Sequence, residues 1–439
     1  MSSPQVVVVG GGVFGVSAAL SLRQRGYAVT LLDRLPLPAE DAATTDISKV
    51  VRADYADGHL YQRLALASMR VFRERWNADA ERRLGRALYI QCGCLFATRA
   101  GDMSAFERQS MEALARDGVL VQRVGPSEVA EWMGPAFAHE FPYGYFNKTA
   151  GYAFSGLTLE YMVLLAKEAG VDFITGPAAG AFAEYIKDGS KVVGVKTVDG
   201  THHRADRVLV AAGSWTPSLV PQLQGLCSPS AQPVVHFAIK DEKLKQRLQS
   251  DRFPVFFADV SDTGIYGFPL NPTTGEVKIA HHGVGFSSSF HEDGRKDPAK
   301  TTPTVIPKGA LNSFRSFVAK AFPELNRLDI TRTRVCWYCE SWDGNFFIDA
   351  VPEIEGLFVA TGGSGHGFKF APVLGDVIAD IMEGRATEYR DLFKWRVPPK
   401  GAKVELDAIR KRTNDESRVL EEQELCTAKD LLAWSDARL

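Results

Sequence analysis

Val6-Val7-Val8-Val9-Gly10-Gly11-Gly12-Val13-Phe14-Gly15 lies near the start of the chain, and Ala28 to Leu32, ending at Asp33, follows it. Four valines in a row predict a strand, ended by the glycines. Val13 to Arg25 has helical spacing, with Ala18, Ala19, Leu20 and Leu22, and Gly26 closes it. Ala28 to Leu32 predicts a second strand. Strand, turn, helix and strand in this order predict a parallel α/β sheet. The turn fits G-x-G-x-x-G. Gly10 permits the tight turn, Gly12 lets backbone approach a pyrophosphate, and Gly15 lets helix and strand pack closely. The helix N-terminus offers unpaired N–H groups and a positive dipole end to an anion. Asp33, 23 positions after Gly10, puts a carboxylate where it can hold a ribose hydroxyl. An acid there favours FAD or NAD over NADP, and the pattern alone does not separate the first two.

Further runs extend the pattern. Arg207 to Gly213 and Leu357 to Gly363 read as buried strands running into glycine. Asp102 to Asp117 and Thr158 to Ala169 read as helices, the second capped by Gly170. Between the two strands, residues 226 to 330 change texture. Val234 to Ile239, Val255 to Ala258, Gly264 to Phe268 and Glu276 to Ala280 predict strands, with turns at Asn271-Pro272 and Gly283. The expectation is a discontinuous nucleotide-binding domain (1–85, 150–225, 331–400). Interleaved with it is a mostly antiparallel substrate domain (86–149, 226–330). Residues 401–439 form a charged tail, read as one or two surface helices or a partly mobile segment.

Composition narrows the function. The chain has 439 residues, 51 Lys plus Arg and 53 Asp plus Glu, a formal net charge of −2. That balance gives no bulk basic surface to neutralise nucleic-acid phosphates. No run is apolar enough for a membrane span, and the N-terminus lacks a signal-peptide pattern. Six cysteines are too few for a disulfide scaffold, so a reducing compartment is expected. Cys92-x-Cys94 has the wrong spacing for a usual zinc site, and no metal is expected. The last three residues, Ala437-Arg438-Leu439, resemble a peroxisomal address. The expected location is therefore the peroxisome, by way of its import receptor, and otherwise the cytoplasm.

The second half of the chain carries the chemistry. Residues 335–349 read Val-Cys-Trp-Tyr-Cys-Glu-Ser-Trp-Asp-Gly-Asn-Phe-Phe-Ile-Asp. Residues 357–370 read Leu-Phe-Val-Ala-Thr-Gly-Gly-Ser-Gly-His-Gly-Phe-Lys-Phe. Together with the first motif, this resembles the monomeric sarcosine oxidase family of FAD-dependent amine oxidases. That group includes the amadoriases (fructosyl amino acid oxidases) and the pipecolate and saccharopine oxidases. The resemblance runs from about residue 5 to residue 398. It implies an FAD-binding Rossmann-like domain of the glutathione-reductase type, a likeness that selects FAD over NAD. It also implies a covalent bond from Cys336, seven residues before Asp343, to the flavin 8α carbon. A thiolate suits that attack. Two plain buried thiols at Cys336 and Cys339 are the alternative; Cys339 receives no role.

The resemblance assigns further residues. Gly363, Gly365, His366, Gly367, Phe368 and Lys369 approach the flavin, with His366 beside the ring. Lys369 also reaches the substrate carboxylate. Val13, Phe14, Arg34, Ser48, Ala179, Gly213 and Trp215 complete the cofactor set. Lys49 lies at the flavin edge and Arg52 points to the substrate carboxylate. Tyr266-Gly267-Phe268-Pro269 and Glu276 to His282 match two family motifs in the inserted domain. Lys278 takes the place of the oxygen-activating lysine, with Lys49 assisting. Tyr266 and His282 line the substrate pocket; His281, on the opposite strand face, is structural. Trp342 is expected to narrow the pocket or stack on substrate, and Arg396 to help bind carboxylate. His282 follows the sarcosine and pipecolate pattern, where amadoriases carry a sugar-binding glutamate. Lys394-Trp395-Arg396 and Lys49 follow the amadoriase pattern.

The implied reaction oxidises a secondary amine bearing a carboxylate. A hydride equivalent goes to flavin N5, the imine hydrolyses, and O2 becomes H2O2, in a monomeric enzyme. The alternatives are a fructosyl amino acid oxidase and a biosynthetic amine oxidase acting on an N-methyl amino acid. A dehydrogenase that avoids O2 fits poorly with Lys278.

Overall fold

The computed structural model describes residues 3–99, 103–287, 304–400 and 418–433. Gln5–Val9 pairs in parallel on both sides, with Arg207–Val210 and Ala28–Asp33. The full sheet has six strands in the order Phe347–Ala350, Leu357–Thr361, Arg207–Val210, Gln5–Val9, Ala28–Asp33, Asp172–Thr175. Only Phe347–Ala350 runs antiparallel to its neighbour. Alternation along the first strand explains its unbroken valines. Val6 and Val8 face a core shared with the helices Val13–Gln24, Ser155–Ala169 and Leu374–Met382. Val7 and Val9 face a core shared with Val192 and Val195 of a three-stranded antiparallel sheet. Both faces are covered, so both tolerate only apolar residues.

The second large sheet has eight strands: Arg332–Ser341, Cys227–Ala238, Glu276–His281, Ile265–Gly267, Val255–Ala258, Cys94–Thr98, Tyr143–Asn147, Val121–Val124. One neighbouring pair, Val255–Ala258 with Cys94–Thr98, is parallel; the rest are antiparallel. Arg332–Ser341, which carries Cys336, belongs to this sheet. Cys336 therefore rides on the eight-stranded sheet, one strand beyond the expected boundary at 330/331.

Opposed residues on four adjacent strands form an aromatic ladder. Tyr266 lies against Phe257 at 5.4 Å, Phe257 against Phe96 at 4.7 Å, and Phe96 against Tyr145 at 4.8 Å, all near-parallel. Direct cross-strand register places them so. On the other face, Leu311, Phe314 and Val318 of the helix Lys308–Ala321 fill a core with Phe237 and Phe256.

Several elements differ in extent from their sequence reading. The helix expected over Asp102 to Asp117 spans Ala105–Arg116, because Ser104 and Glu107 form a reciprocal capping box. The helix expected from Thr158 begins at Ser155 and closes at Gly170. The run Val234 to Ile239 is the end of a twelve-residue strand, Cys227–Ala238. Pro229 and Pro233 hid the rest. Ala231 shows how they are accommodated: its N–H points away from Arg332–Ser341, to the Phe286 carbonyl at 2.8 Å. By the same alternation, Pro229 and Pro233 present their missing donors to the side without a full partner strand.

In the tail, residues 418–433 lie on the substrate unit without a long helix. Arg315, fully buried, donates to the carbonyls of Leu431 and Leu432 at 2.8 and 2.9 Å. Ala437-Arg438-Leu439 lies outside the described residues. No helix among the described residues is long and apolar enough to cross a membrane, and among them no cluster of His, Cys, Asp or Glu could hold a metal ion.

Candidate active site

The G-x-G-x-x-G turn joins the first strand to its helix. A Cβ on Gly15 would stand 1.9 Å from the Gly10 carbonyl oxygen, so only glycine permits this closeness. Gly12 is the N-cap and brings no side-chain acceptor. The Val13 N–H donates instead to Thr44 Oγ1 at 3.0 Å. Asp33 accepts from Gly11 N at 2.7 Å and Leu35 N at 2.9 Å. Burial pushes its carboxyl up, against those two hydrogen bonds.

These residues open on a cavity of about 270 Å³. Gly10 to Phe14, Asp33, Arg34, Gly213, Trp215, Gly363, Gly365, Gly367 and Phe368 line it. Arg34 lies over the Trp215 ring at 4.9 Å and pairs with Asp41. Gly365 has φ +74°, and a Cβ there would strike the Tyr338 ring at 2.4 Å. Asp343, His366 and Lys369 line a second cavity instead, and Cys336, Ala179, Gly15 and Ser48 also sit off this wall. Ala179 is replaced by Gly180, Ala181 and Phe182, which follow it into the cavity. Gly15 packs behind the turn. Ser48 acts through its carbonyl, while its buried hydroxyl has no protein partner. A long cavity with main-chain donors at a helix N-terminus, a carboxylate at the adjoining strand end and a glycine-rich floor fits FAD.

A second cavity of about 290 Å³ shares Lys49, Tyr338, Gly365 and Phe368 with the first. Behind Lys49 lies Cys336, 3% exposed, with Sγ 3.3 Å from Lys49 Nζ. Lys278 is buried close by. Its Nζ donates to Asp46 Oδ2 at 2.6 Å and to the Ser48 carbonyl at 2.7 Å. Burial lowers the Lys278 ammonium to about 8, with Asp46 opposing the shift. Burial works upward on Asp46, but Lys278, Arg334 and Lys49 hold its carboxyl far below the usual range. Sequence reading missed Asp46, because nothing in a lone aspartate before Ser48-Lys49 signals a buried counter-ion.

The second cavity holds the expected substrate residues Arg52, Tyr266, His282 and Lys369. Arg52 is 7% exposed and donates to the Asp54 carbonyl. Its guanidinium lies among the rings of Tyr55, Phe96, Phe106 and Phe257, at 5.5 to 5.9 Å. The buried Asp54 carboxylate is turned to Tyr145 and Asn147, at 2.8 and 3.0 Å. Lys369 Nζ donates to Tyr55 Oη at 2.8 Å and to the His366 carbonyl at 3.1 Å. His366 Nε2 meets the Gly344 carbonyl at 3.1 Å, and its Nδ1 meets Tyr55 Oη at 2.9 Å. A carbonyl can only accept, so Nε2 carries the proton and Nδ1 accepts from the tyrosine. Tyr55, three residues after Arg52, thus links Lys369 to His366, a role its sequence neighbourhood did not disclose.

Two expected substrate residues are placed elsewhere. Arg396 grips Asp343 bidentately at 2.6 and 2.6 Å and the carbonyls of Asn345, Phe346 and Lys394. All its donors are committed, so it fixes the Asp343-Gly344-Asn345 loop instead of reaching the cavity. Trp342 packs against the core beside the six-stranded sheet, and its backbone N–H donates to the Leu226 carbonyl at 2.9 Å. The next three residues, not Trp342, line the cavity.

Comparison with known proteins agrees with this fold. The model of the DAO family, FAD dependent oxidoreductase, matches residues 5–381. L-saccharopine oxidase of Schizosaccharomyces pombe is 30% identical over 437 residues, 93% of this chain and 96% of that protein. Monomeric sarcosine oxidase of Bacillus sp. (strain B-0618) is 27% identical, covering 88% of this chain and 93% of its own. The solved structure of Amadoriase II, a fructosamine oxidase from Aspergillus fumigatus, superposes with a TM-score of 0.78 at 25% identity, over 99% of both chains. The chain belongs to the DAO family of FAD-dependent oxidoreductases.

Proposed function

We propose that this enzyme oxidises a secondary amine bearing a carboxylate, an N-substituted amino acid, with O2 as acceptor and H2O2 as product. The observation that carries the reading is Arg52. Arg52, 7% exposed and ringed by aromatics, faces the second cavity, while the Asp54 carboxylate in its field spends its hydrogen bonds on Tyr145 and Asn147. A buried cation of this kind demands an anionic partner, and Lys369 stands ready on the same cavity. The relatives named as oxidases of saccharopine and sarcosine support the class.

FAD, when bound, supplies two-electron oxidation of the carbon–nitrogen bond. Gly10 to Phe14, Asp33, Arg34 and Gly363 to Phe368 would hold it, with Cys336 as covalent anchor. Lys49 Nζ donates to Cys336 Sγ at 3.3 Å and so holds the sulfur that would form that bond. Arg52 and Lys369 fix the substrate carboxylate by charge-assisted bonds and so orient the amine. Phe106, Phe257 and Tyr266 exclude water around it. Lys278, kept cationic by Asp46, offers fixed positive charge where oxygen is reduced. The imine product hydrolyses in water. Ala437-Arg438-Leu439 suits a peroxide-forming enzyme as a peroxisomal address, and the enzyme acts as a monomer.

The test is a panel of sarcosine, pipecolate, saccharopine, a fructosyl amino acid and N-methylated aromatic amino acids, with peroxide detection. Peroxide from a carboxylated secondary amine is the expected result. Turnover confined to amines without a carboxylate overturns the reading. Turnover confined to the fructosyl compound moves the enzyme to the sugar-amine branch despite His282.

A further inference from the structure

Cys339 has no part in the chemistry above, yet its surroundings are unusual. It lies in the wall of the cofactor cavity, 5% exposed. Three donors converge on its sulfur: the Cys227 thiol, the Gly362 N–H and the Thr361 hydroxyl, the last at 3.2 Å and shared with the Gly213 carbonyl. Cys227 and Cys339 are diagonal neighbours on one face of adjacent antiparallel strands, since Cys227 opposes Ser341 and Pro229 opposes Cys339. We propose that Cys339 is a peroxide-reactive thiol and that Cys227 resolves it into a disulfide.

The other placements agree. Hydrogen bonds from Cys227, Thr361 and Gly362 hold the Cys339 thiol below its usual range despite burial. Donation to Cys339, then burial, pushes Cys227 well above it. Burial drives Cys92 up to about 12, and burial with the Asp430 and Glu424 carboxylates drives Cys426 up to about 11. Cys339 is thus arranged as the attacking sulfur and Cys227 as the proton-bearing partner.

The step balances. The Cys339 sulfur attacks one peroxide oxygen; an S–O bond forms, the O–O bond breaks, and water leaves after protonation. Sulfur loses two electrons and peroxide gains them. Cys227 sulfur then attacks Cys339 sulfur; the S–S bond forms, the S–O bond breaks, and hydroxide leaves as water with the Cys227 proton. Two thiols and one H2O2 give one disulfide and two waters. That the enzyme itself makes the peroxide rests on the proposed oxidase activity, but the chemistry needs only peroxide.

The holoenzyme is treated with added H2O2, denatured, alkylated and mapped by peptide mass spectrometry, without substrate. We expect a Cys227–Cys339 cross-linked peptide with both thiols lost to alkylation together, while Cys92 and Cys426 remain alkylatable. In Cys227→Ser, dimedone should label Cys339 at least about tenfold more than any other cysteine. Alkylation of Cys227 and Cys339 equal to that of untreated enzyme overturns the proposal, as does oxidation led by Cys92 or Cys426. The wild-type map decides the matter if the variant fails to fold. A second arm uses turnover in place of added peroxide. A disulfide with added H2O2 and none with substrate leaves the thiol pair standing and counts against the oxidase reading.

Discussion

Replacing Lys278 with Met removes a buried cation beside the junction of the two cavities. At about 4 Å and an effective dielectric constant of about 20, a unit charge is worth about 4 kcal/mol. Asp46, at 2.6 Å from Nζ, offsets part of that field. A net of roughly 3 kcal/mol corresponds to about a hundredfold in rate. Lys278→Met should therefore slow reoxidation of the reduced enzyme by O2 about a hundredfold and change anaerobic reduction by substrate less than about tenfold. Stopped-flow measurement of the two half-reactions separates them. The variant also leaves Asp46 buried without its main partner, so Lys278→Met/Asp46→Asn should recover stability but not O2 reactivity. The pH dependence follows from burial, which lowers the ammonium to about 8. The cation is present below that value and lost above it, so reoxidation should fall as pH rises through about 8. Lys278→Met should lack this limb. Equal slowing of both half-reactions, or a limb that survives the substitution, refutes the reasoning.

Arg396→Leu breaks the bidentate hold on Asp343, whose side chain is only 19% exposed. We expect a loss of roughly 2–4 kcal/mol in denaturant unfolding and a raised KM, because Gly344 and Asn345 line the substrate cavity; unchanged stability and KM would return Arg396 to a dispensable role. His236 is fully buried, and burial lowers its imidazole to about 3, with Asp46 opposing. The unfolded chain takes up the proton first, so this group's contribution to stability falls as pH drops from about 6.5 to about 3. His236→Gln should flatten that part of the unfolding profile, measured against wild type; parallel profiles contradict it. Acid precipitation should leave the yellow colour with wild-type protein and release it from Cys336→Ser. A colourless wild-type pellet rules out the covalent anchor.

The legible parts of the sequence were those where local pattern and tertiary role coincide. The valine run, the glycine turn and Asp33 are adjacent in the chain and in space, so the nucleotide fold was readable from thirty-odd residues. Cys336, Lys278 and Lys369 could be picked out by motif resemblance; Lys369 lines the second cavity, Cys336 meets Lys49, and Lys278 meets Asp46. What stayed hidden depends on partners distant in sequence. Asp46 meets Lys278 across 232 positions and Arg396 meets Asp343 across 53. No local signal says that such an arginine is already fully hydrogen-bonded, chiefly to a loop some fifty positions earlier. Trp342 was misplaced because side-chain direction at a strand end depends on the strand's neighbours. The length of Cys227–Ala238 was hidden by prolines whose missing donors face an unpaired side.

The central claim is that a carboxylate held by Arg52 and Lys369 brings an amine to the cofactor. Its most direct test is anaerobic mixing of the holoenzyme with the best amine of the panel and, separately, with the primary amide of that compound. The account predicts rapid bleaching of the yellow colour by the acid. It predicts bleaching by the amide at least about a hundredfold weaker in apparent affinity, since two charge-assisted contacts are lost. Equal bleaching by acid and amide would contradict it.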